Sequence, residues 1–109
     1  MANTFKLKTK ANVGVTTVGI YTAPAATTTV VIGITLANTS GSGVNVGVGI
    51  TRAGTTEDVK LLKNAPNPQG SSLEFMGGNK VVLEATDTVT VDSDTNNSVD
   101  ASLTIMEIT

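Results

Sequence analysis

Apolar and polar residues alternate along several stretches of the chain. Val44, Val46, Val48 and Ile50 occupy every second position of one stretch, and the segment 98–108 has the same period but carries apolar residues on both of its faces. Because side chains of a β-strand point to opposite faces with a period of two, this pattern predicts half-buried strands. We predict eight strands, over residues 4–10, 15–21, 28–37, 44–51, 58–63, 72–76, 80–92 (with a break near 85) and 98–108.

Residues that favour turns separate the predicted strands. Clusters of Gly, Pro, Asn, Asp and Ser lie at 22–25, 38–43, 64–70 and 94–97. Their spacing is typical of an all-β sandwich or barrel. We therefore predict one domain over residues 1–109, a single antiparallel β-sandwich of about eight strands. Both jelly-roll and immunoglobulin-like strand orders fit this pattern.

The composition excludes several kinds of chemistry. The 109 residues include no Cys, no His and no Trp, and the formal net charge is -2. Such a chain has no disulfides, no ordinary zinc ligands, and neither a Cys nucleophile nor an imidazole base. Its charge offers no basic surface for nucleic acid. We predict that it is not an enzyme, with no catalytic, cofactor-binding or metal-binding residues, no cofactor, and no nucleic-acid or membrane partner.

Large side chains for a core are scarce. Only 3% of the residues are aromatic, and we expect Phe5, Tyr21 and Phe75 to be the large members of a core otherwise made of Val, Ile and Leu. Aromatic residues normally dominate the energetics of a core. We therefore hypothesise that part of the protein's stability comes from burial against copies of itself or a partner.

One short motif is a candidate cation site. Oxygen-bearing side chains alternate at Asp92, Asp94 and Asn96, as at the start of an EF-hand calcium loop. The Gly and the Glu that such a loop requires at its sixth and twelfth positions are missing. We favour an Asx-rich turn between the last two strands. The alternative is a weak cation site completed by Asp100.

Small and acidic residues have structural interpretations as well. Gly47 and Gly49 leave one face of a predicted strand bare, but the third Gly and the helix of a dinucleotide-binding loop are absent. We expect close packing inside the domain, with an intersubunit contact as the alternative. Five carboxylates lie in no catalytic motif and are expected to be solvated, namely Glu57, Asp58, Glu74, Glu84 and Asp87.

The first predicted strand is basic. Lys6, Lys8 and Lys10 share one of its faces. We favour a solvated face, or an edge strand that lysines protect against unwanted pairing. The alternative is an edge that docks onto an acidic partner.

Several segments together resemble a known class of protein. They are MANTFK at 1–6, YTAPAATTT at 21–29, VVIGITLAN at 30–38, PQGSSLE at 68–74, GNKVVLE at 78–84 and MEIT at 106–109. The chain resembles small virion structural proteins of tailed bacteriophages, including cyanophages, over nearly its whole length. The resemblance implies a place in the virion after synthesis in the host bacterial cytoplasm.

The resemblance leaves two places on the particle open. The first is the capsid exterior, where a decoration (cement) protein stabilises the head by contacts with the major capsid protein and with its own copies, a trimer being the favoured homo-oligomer. The second is a neck, collar or tail component that forms a ring or attachment module with neighbouring proteins. A carbohydrate-binding module is a remote alternative. Expected contact regions are residues 5–10, residues 64–70 and the turn at Gly77, Gly78 and Asn79.

Overall fold

The computed structural model describes residues 3–54, 56–74 and 80–109. The described residues form nine strands, because the predicted strand 80–92 is divided by a turn at the expected break. Within those ranges, the structure has no helix that is long and apolar enough to cross a bilayer. The strands are β1 (Asn3–Val13), β2 (Val18–Thr22), β3 (Thr28–Asn38), β4 (Val44–Arg52), β5 (Glu57–Asn67), β6 (Ser72–Glu74), β7 (Val81–Leu83), β8 (Thr88–Ser93) and β9 (Val99–Ile108).

Two antiparallel sheets form a β-sandwich, which confirms the predicted fold class. Sheet A has the order β1-β9-β3-β6. β7 also pairs with β3, on the same edge as β6 but near the opposite end of β3. Sheet B has the order β2-β8-β4-β5. The pairs β1–β9, β2–β8, β3–β6/β7 and β4–β5 are nested around one another. This nesting is the strand order of a jelly roll, whereas an immunoglobulin domain groups its strands differently.

The core lies between the inner faces of the two sheets. Its largest fully buried side chains include Ile34 and Leu36 of β3, Leu83 of β7, and Leu103 and Ile105 of β9. Alternating Val residues of β4 and β8 cover them from sheet B. The period-two pattern therefore assigned the buried faces of β4 and β8 correctly, since their alternate Val and Ile residues point inward.

The expected aromatic members of the core have different outcomes. Tyr21 is buried, as predicted. The prediction for Phe5 is wrong, because its side chain is 69% exposed on the outer face of sheet A. Phe75 lies outside the described residues.

The segment 64–70 was predicted to be a loop, and this is wrong for its first half. β5 continues to Asn67, and Pro66 is tolerated because β5 is an edge strand of sheet B. The Asn67 amide group is buried and donates a hydrogen bond of 3.0 Å to the Leu36 carbonyl oxygen of sheet A. This end of β5 is thereby tied to the opposite sheet.

Candidate assembly surface

The orientation of β1 is set by its register with β9. Phe5 lies opposite Met106, and Lys6 lies opposite the fully buried Ile105. Residues opposite each other in a sheet share a face, so Phe5 and Leu7 point outward whereas the lysines point inward. Phe5 is 69% and Leu7 65% exposed. The lysines do share one face, but it is the inner face at the edge of the sandwich.

A buried carboxylate explains this orientation. Glu107 has the same parity as the core residues of β9 and is only 6% exposed. Its carboxylate forms an ion pair with the Lys6 Nζ at 2.8 Å and accepts a hydrogen bond from the Tyr21 hydroxyl at 2.6 Å. Because the phenolic proton is used in that bond, the Thr29 hydroxyl donates to the Tyr21 oxygen, at 2.8 Å. A buried charge needs such partners.

The same contacts shift two pKa values in opposite directions. The hydrogen bond from Lys6, followed by that from Tyr21, lowers the pKa of Glu107. Burial, together with the hydrogen bond to Glu107, raises the pKa of Tyr21 to about 12. Lys8 adds a weak contact, with its Nζ 6.0 Å from the centre of the Tyr21 ring. The cluster therefore favours a charged Glu107 and a neutral Tyr21.

Apolar side chains cross the whole outer face of sheet A near this end. Phe5 lies opposite Met106, Met106 opposite Val30, and Val30 opposite Val82, so the four form one row across β1, β9, β3 and β7. Val82 is 59% exposed. We call this row, together with its outward-pointing neighbours, the apolar stripe, which consists of Phe5, Leu7, Val30, Ile32, Val82, Met106 and Ile108.

The other end of the same face is small and polar. A shallow groove of about 300 Å³ runs between β1, β9 and β3 there, and Thr9, Lys10, Thr35 and Ser102 help to line it. Glu74 of β6 stands at the far side, opposite Thr35. The outer face of sheet A thus has an apolar end and a polar end.

The outer face of sheet B is covered at its two glycines by neighbouring side chains and backbone. A Cβ atom at Gly47 would lie 2.5 Å from the Asp92 carboxylate, and one at Gly49 would lie 2.9 Å from the Val59 carbonyl oxygen. Thr90 covers Gly49 as well. The two glycines therefore serve packing inside the domain, which is the favoured of the two predictions.

The candidate cation residues contact separate segments. Asp94, Asn96 and Asp100 each accept a hydrogen bond from a different backbone N–H, and Asp92 accepts one of 3.0 Å from the Thr17 hydroxyl. Residues 94–97 form the predicted turn between β8 and β9. In residues 3–54, 56–74 and 80–109, no three Asp, Glu, Cys or His side chains converge to hold a metal ion.

One of the five carboxylates expected to be solvated is buried. Asp87 is 3% exposed and accepts hydrogen bonds from the Arg52 Nε, at 3.3 Å, and from the Glu84 backbone N–H, at 3.0 Å. The Arg52 guanidinium also contacts the Glu84 carboxylate. The prediction is wrong for Asp87, because the arginine that compensates its charge is 35 residues distant in the sequence.

The three expected contact regions do not form one surface in the described chain. Residues 5–10 form the edge of sheet A, and residues 64–70 end β5 at the edge of sheet B. The turn at 77–79 lies outside the described residues. The apolar stripe could not be seen in the alternation pattern, because its members come from four strands that are distant in the chain. One sequence signal for the orientation of β1 exists. Glu107 has the same parity as Leu103 and Ile105, so its carboxylate faces inward and requires a cationic partner there, which favours lysines on the inner face of β1.

Comparisons with known proteins give one structural similarity. A scan against protein-family models finds no match, and a search of curated proteins also finds none. Among solved structures, the chain is similar to one from Bacillus endospore appendages, described as a novel family of disulfide-linked pili. The match has a TM-score of 0.56 and 17% sequence identity, and it covers 99% of this chain and 87% of that one. At this identity, the two proteins are shown to share a fold.

Proposed function

We propose that this protein is a non-enzymatic structural component of a tailed-phage virion, most specifically a decoration protein on the capsid exterior. It binds the major capsid protein and its own copies, and it acts by geometry and repetition. Many weak contacts of this kind add up through multivalency. The assignment to a phage particle derives from the sequence resemblance, and the surface of the sandwich supplies the physical support.

The apolar stripe is the observation that carries the proposal. Phe5, Leu7 and Val82 are each more than half exposed, although the core between the sheets is already filled. Contiguous apolar surface that the fold does not use commonly marks an interaction site. A protein that acts on a particle as an assembly, through contacts with its own copies as well as with the shell, needs such a surface.

The structural neighbour is compatible with an assembling role. It is described as forming pili, which are polymers of repeated subunits, and those pili are disulfide-linked. The present chain has no cysteine, so its own assembly would have to rely on noncovalent contacts. This contrast directs attention to exposed apolar and charged surfaces.

The proposal is tested by adding the purified protein to phage heads that lack it. We expect saturable binding with a copy number approaching that of the major capsid protein, and a higher temperature for particle disruption. Val82→Asp should weaken binding, whereas Val15→Asp is the matched control, because Val15 is exposed to a similar extent, 57% compared with 59%, outside the stripe. Absence of binding to the shell in electron cryomicroscopy would reject the decoration role.

A neck, collar or tail component is the second candidate. Similarity to a pilus subunit favours it, since a tail or collar is also built from stacked or ringed copies. The same micrographs separate the two roles. Density at the head–tail junction or along the tail, with none on the shell, would support this alternative.

A further inference from the structure

We infer that the outer face of sheet A is an interface between two copies of this chain, packed face to face about a two-fold axis parallel to the strands. This inference deepens the proposed function by naming the self-contact, and its test in solution does not require a phage particle. Four observations support it: the position of the apolar row, the position of a second, polar row, the available area, and the lysines of β1.

The apolar row is complementary to itself under this symmetry. It consists of Phe5, Met106, Val30 and Val82, in that order across the sheet. A two-fold axis between β9 and β3 exchanges β1 with β7 and β9 with β3. Phe5 of one copy then covers Val82 of the other, and Met106 covers Val30. Every member of the row thus gains an apolar partner, as expected for an isologous contact.

The same operation pairs polar residues with one another at the polar end. Thr9, Ser102, Thr35 and Glu74 form a second row across the sheet. The symmetry places Glu74 of one copy over Thr9 of the other, and Ser102 over Thr35, so the polar residues of this row also face polar partners. Polar pairs at the rim of an interface mainly fix register and specificity.

The face has the size of a standard interface. β9 has ten residues, so the sheet is about 34 Å long, and three full strands are about 14 Å wide. With the three residues each of β6 and β7, one copy offers about 600 Å², and two copies bury about 1,200 Å², at the lower end of the usual range of about 1,200–2,000 Å². Aligned packing of sheets allows for their twist.

Pairing through the edge of β1 is a weaker arrangement for two copies. Antiparallel pairing of β1 with itself would place Lys6, Lys8 and Lys10 of both copies side by side on one face. Like charges opposite each other destabilise a strand pair, and edge lysines are a known protection against such pairing. A face-to-face contact avoids this repulsion. It also closes with two copies, so it predicts a dimer in place of the trimer that the phage resemblance suggests.

Sedimentation equilibrium and native mass spectrometry of the full chain test the inference. The monomer mass is 11.1 kDa, and we expect a concentration-dependent species of twice that mass and no trimer. Val82→Asp should raise the dissociation constant of the dimer at least about tenfold, because it buries a carboxylate without a partner against Phe5 of the other copy. Val15→Asp, the matched control, should leave it unchanged. Urea unfolding of both variants verifies that they fold.

A charge exchange tests the arrangement of the two copies. Thr9→Glu puts a second carboxylate opposite Glu74 of the other copy and should weaken the dimer several-fold, and adding Glu74→Lys to the same chain should restore it. A protein that is still monomeric at about 100 μM would overturn the inference, because this concentration is far above the dissociation constants of ordinary interfaces of this size. So would a trimer, or a dimer that Val82→Asp leaves intact. Binding to phage heads is measured separately, so either proposal can fail without the other.

Discussion

Sheet A and sheet B contribute similar Val, Ile and Leu side chains to the core, yet their outer faces differ. On sheet A, Phe5, Leu7 and Val82 project into solvent. On sheet B, the corresponding space above Gly47 and Gly49 is occupied by side chains of β8 and by the backbone of β5. One outer face is thus open and apolar, and the other is closed and polar.

The difference shows which residues the fold itself needs. At Gly47 and Gly49, sheet B is packed on both sides, so the residues around these glycines contribute to the stability of the single chain. The outer side of sheet A contacts little, so its apolar residues add little to that stability. Burial is what converts apolar area into free energy, at about 25 cal/mol per Å². The apolar stripe can therefore stabilise the protein only when something covers it.

The largest expected effect comes from adding one methyl group to the outer face of sheet B, and the same change on sheet A is its control. Gly49→Ala on sheet B places a Cβ atom 2.9 Å from the Val59 carbonyl oxygen and 3.2 Å from the Thr90 hydroxyl. Because the first contact is with backbone, β5 must shift, and we expect a loss of about 2 kcal/mol in the free energy of unfolding. Chemical denaturation measures it.

Gly33→Ala on sheet A is the matched control. A Cβ atom there meets no other atom within 4 Å, so we expect no loss, or a gain of about 0.5 kcal/mol from reduced freedom of the unfolded chain. Equal losses for the two variants would contradict the contrast between a closed and an open outer face.

A smaller effect is expected from the inner face of sheet A, which carries a buried carboxylate. Glu107→Gln retains a partner for the Tyr21 hydroxyl but removes the ion pair with Lys6. Since Lys6 is partly exposed, we expect a loss of about 1 kcal/mol at neutral pH, measured by urea unfolding. An unchanged free energy of unfolding would mean that the lysine and the carboxylate are not coupled in solution.

The pH dependence of this effect has a defined sign. The pKa of Glu107 is lower in the folded chain than its ordinary value of 4.5. Its contribution is therefore fully present above pH 4.5 and is lost as the pH falls through the folded value. We expect the wild type to lose more stability than Glu107→Gln on acidification below pH 4.5. Parallel stability curves would contradict this assignment.

Tyr21 gives an optical test of the same cluster. It is the one tyrosine of the chain, and there is no tryptophan, so the absorbance of its phenolate is resolved from other signals. We expect a titration midpoint at about 12 instead of the ordinary 10, with stability lost as the pH rises through that range. Glu107→Gln should lower the midpoint only in part, because burial is the largest cause. A midpoint near 10 would indicate an exposed ring.

Much of the fold could be predicted from local patterns, whereas the surface could not. The alternation in β4, β8 and β9 and the turn clusters are local, so they indicated a sandwich and the break between β7 and β8. For β1, alternation alone cannot tell which face is inside. Phe5 was expected to be buried, but the buried Glu107 takes Lys6 as its partner and turns Phe5 outward. Strand order depends on pairs such as β1–β9, which lie at opposite ends of the chain.

The smallest expected effect is the most informative about the open face. Phe5→Thr preserves strand propensity, and Phe5 is 69% exposed, so at low protein concentration we expect unfolding to change by no more than about 0.5 kcal/mol. At high concentration, self-association should stabilise the wild type more than the variant, because a ligand of the folded state raises its stability by mass action. Denaturation midpoints measured across a dilution series test both statements. A loss above about 1.5 kcal/mol at every concentration would show that Phe5 packs within a single chain, and sheet A would then be closed in the same way as sheet B.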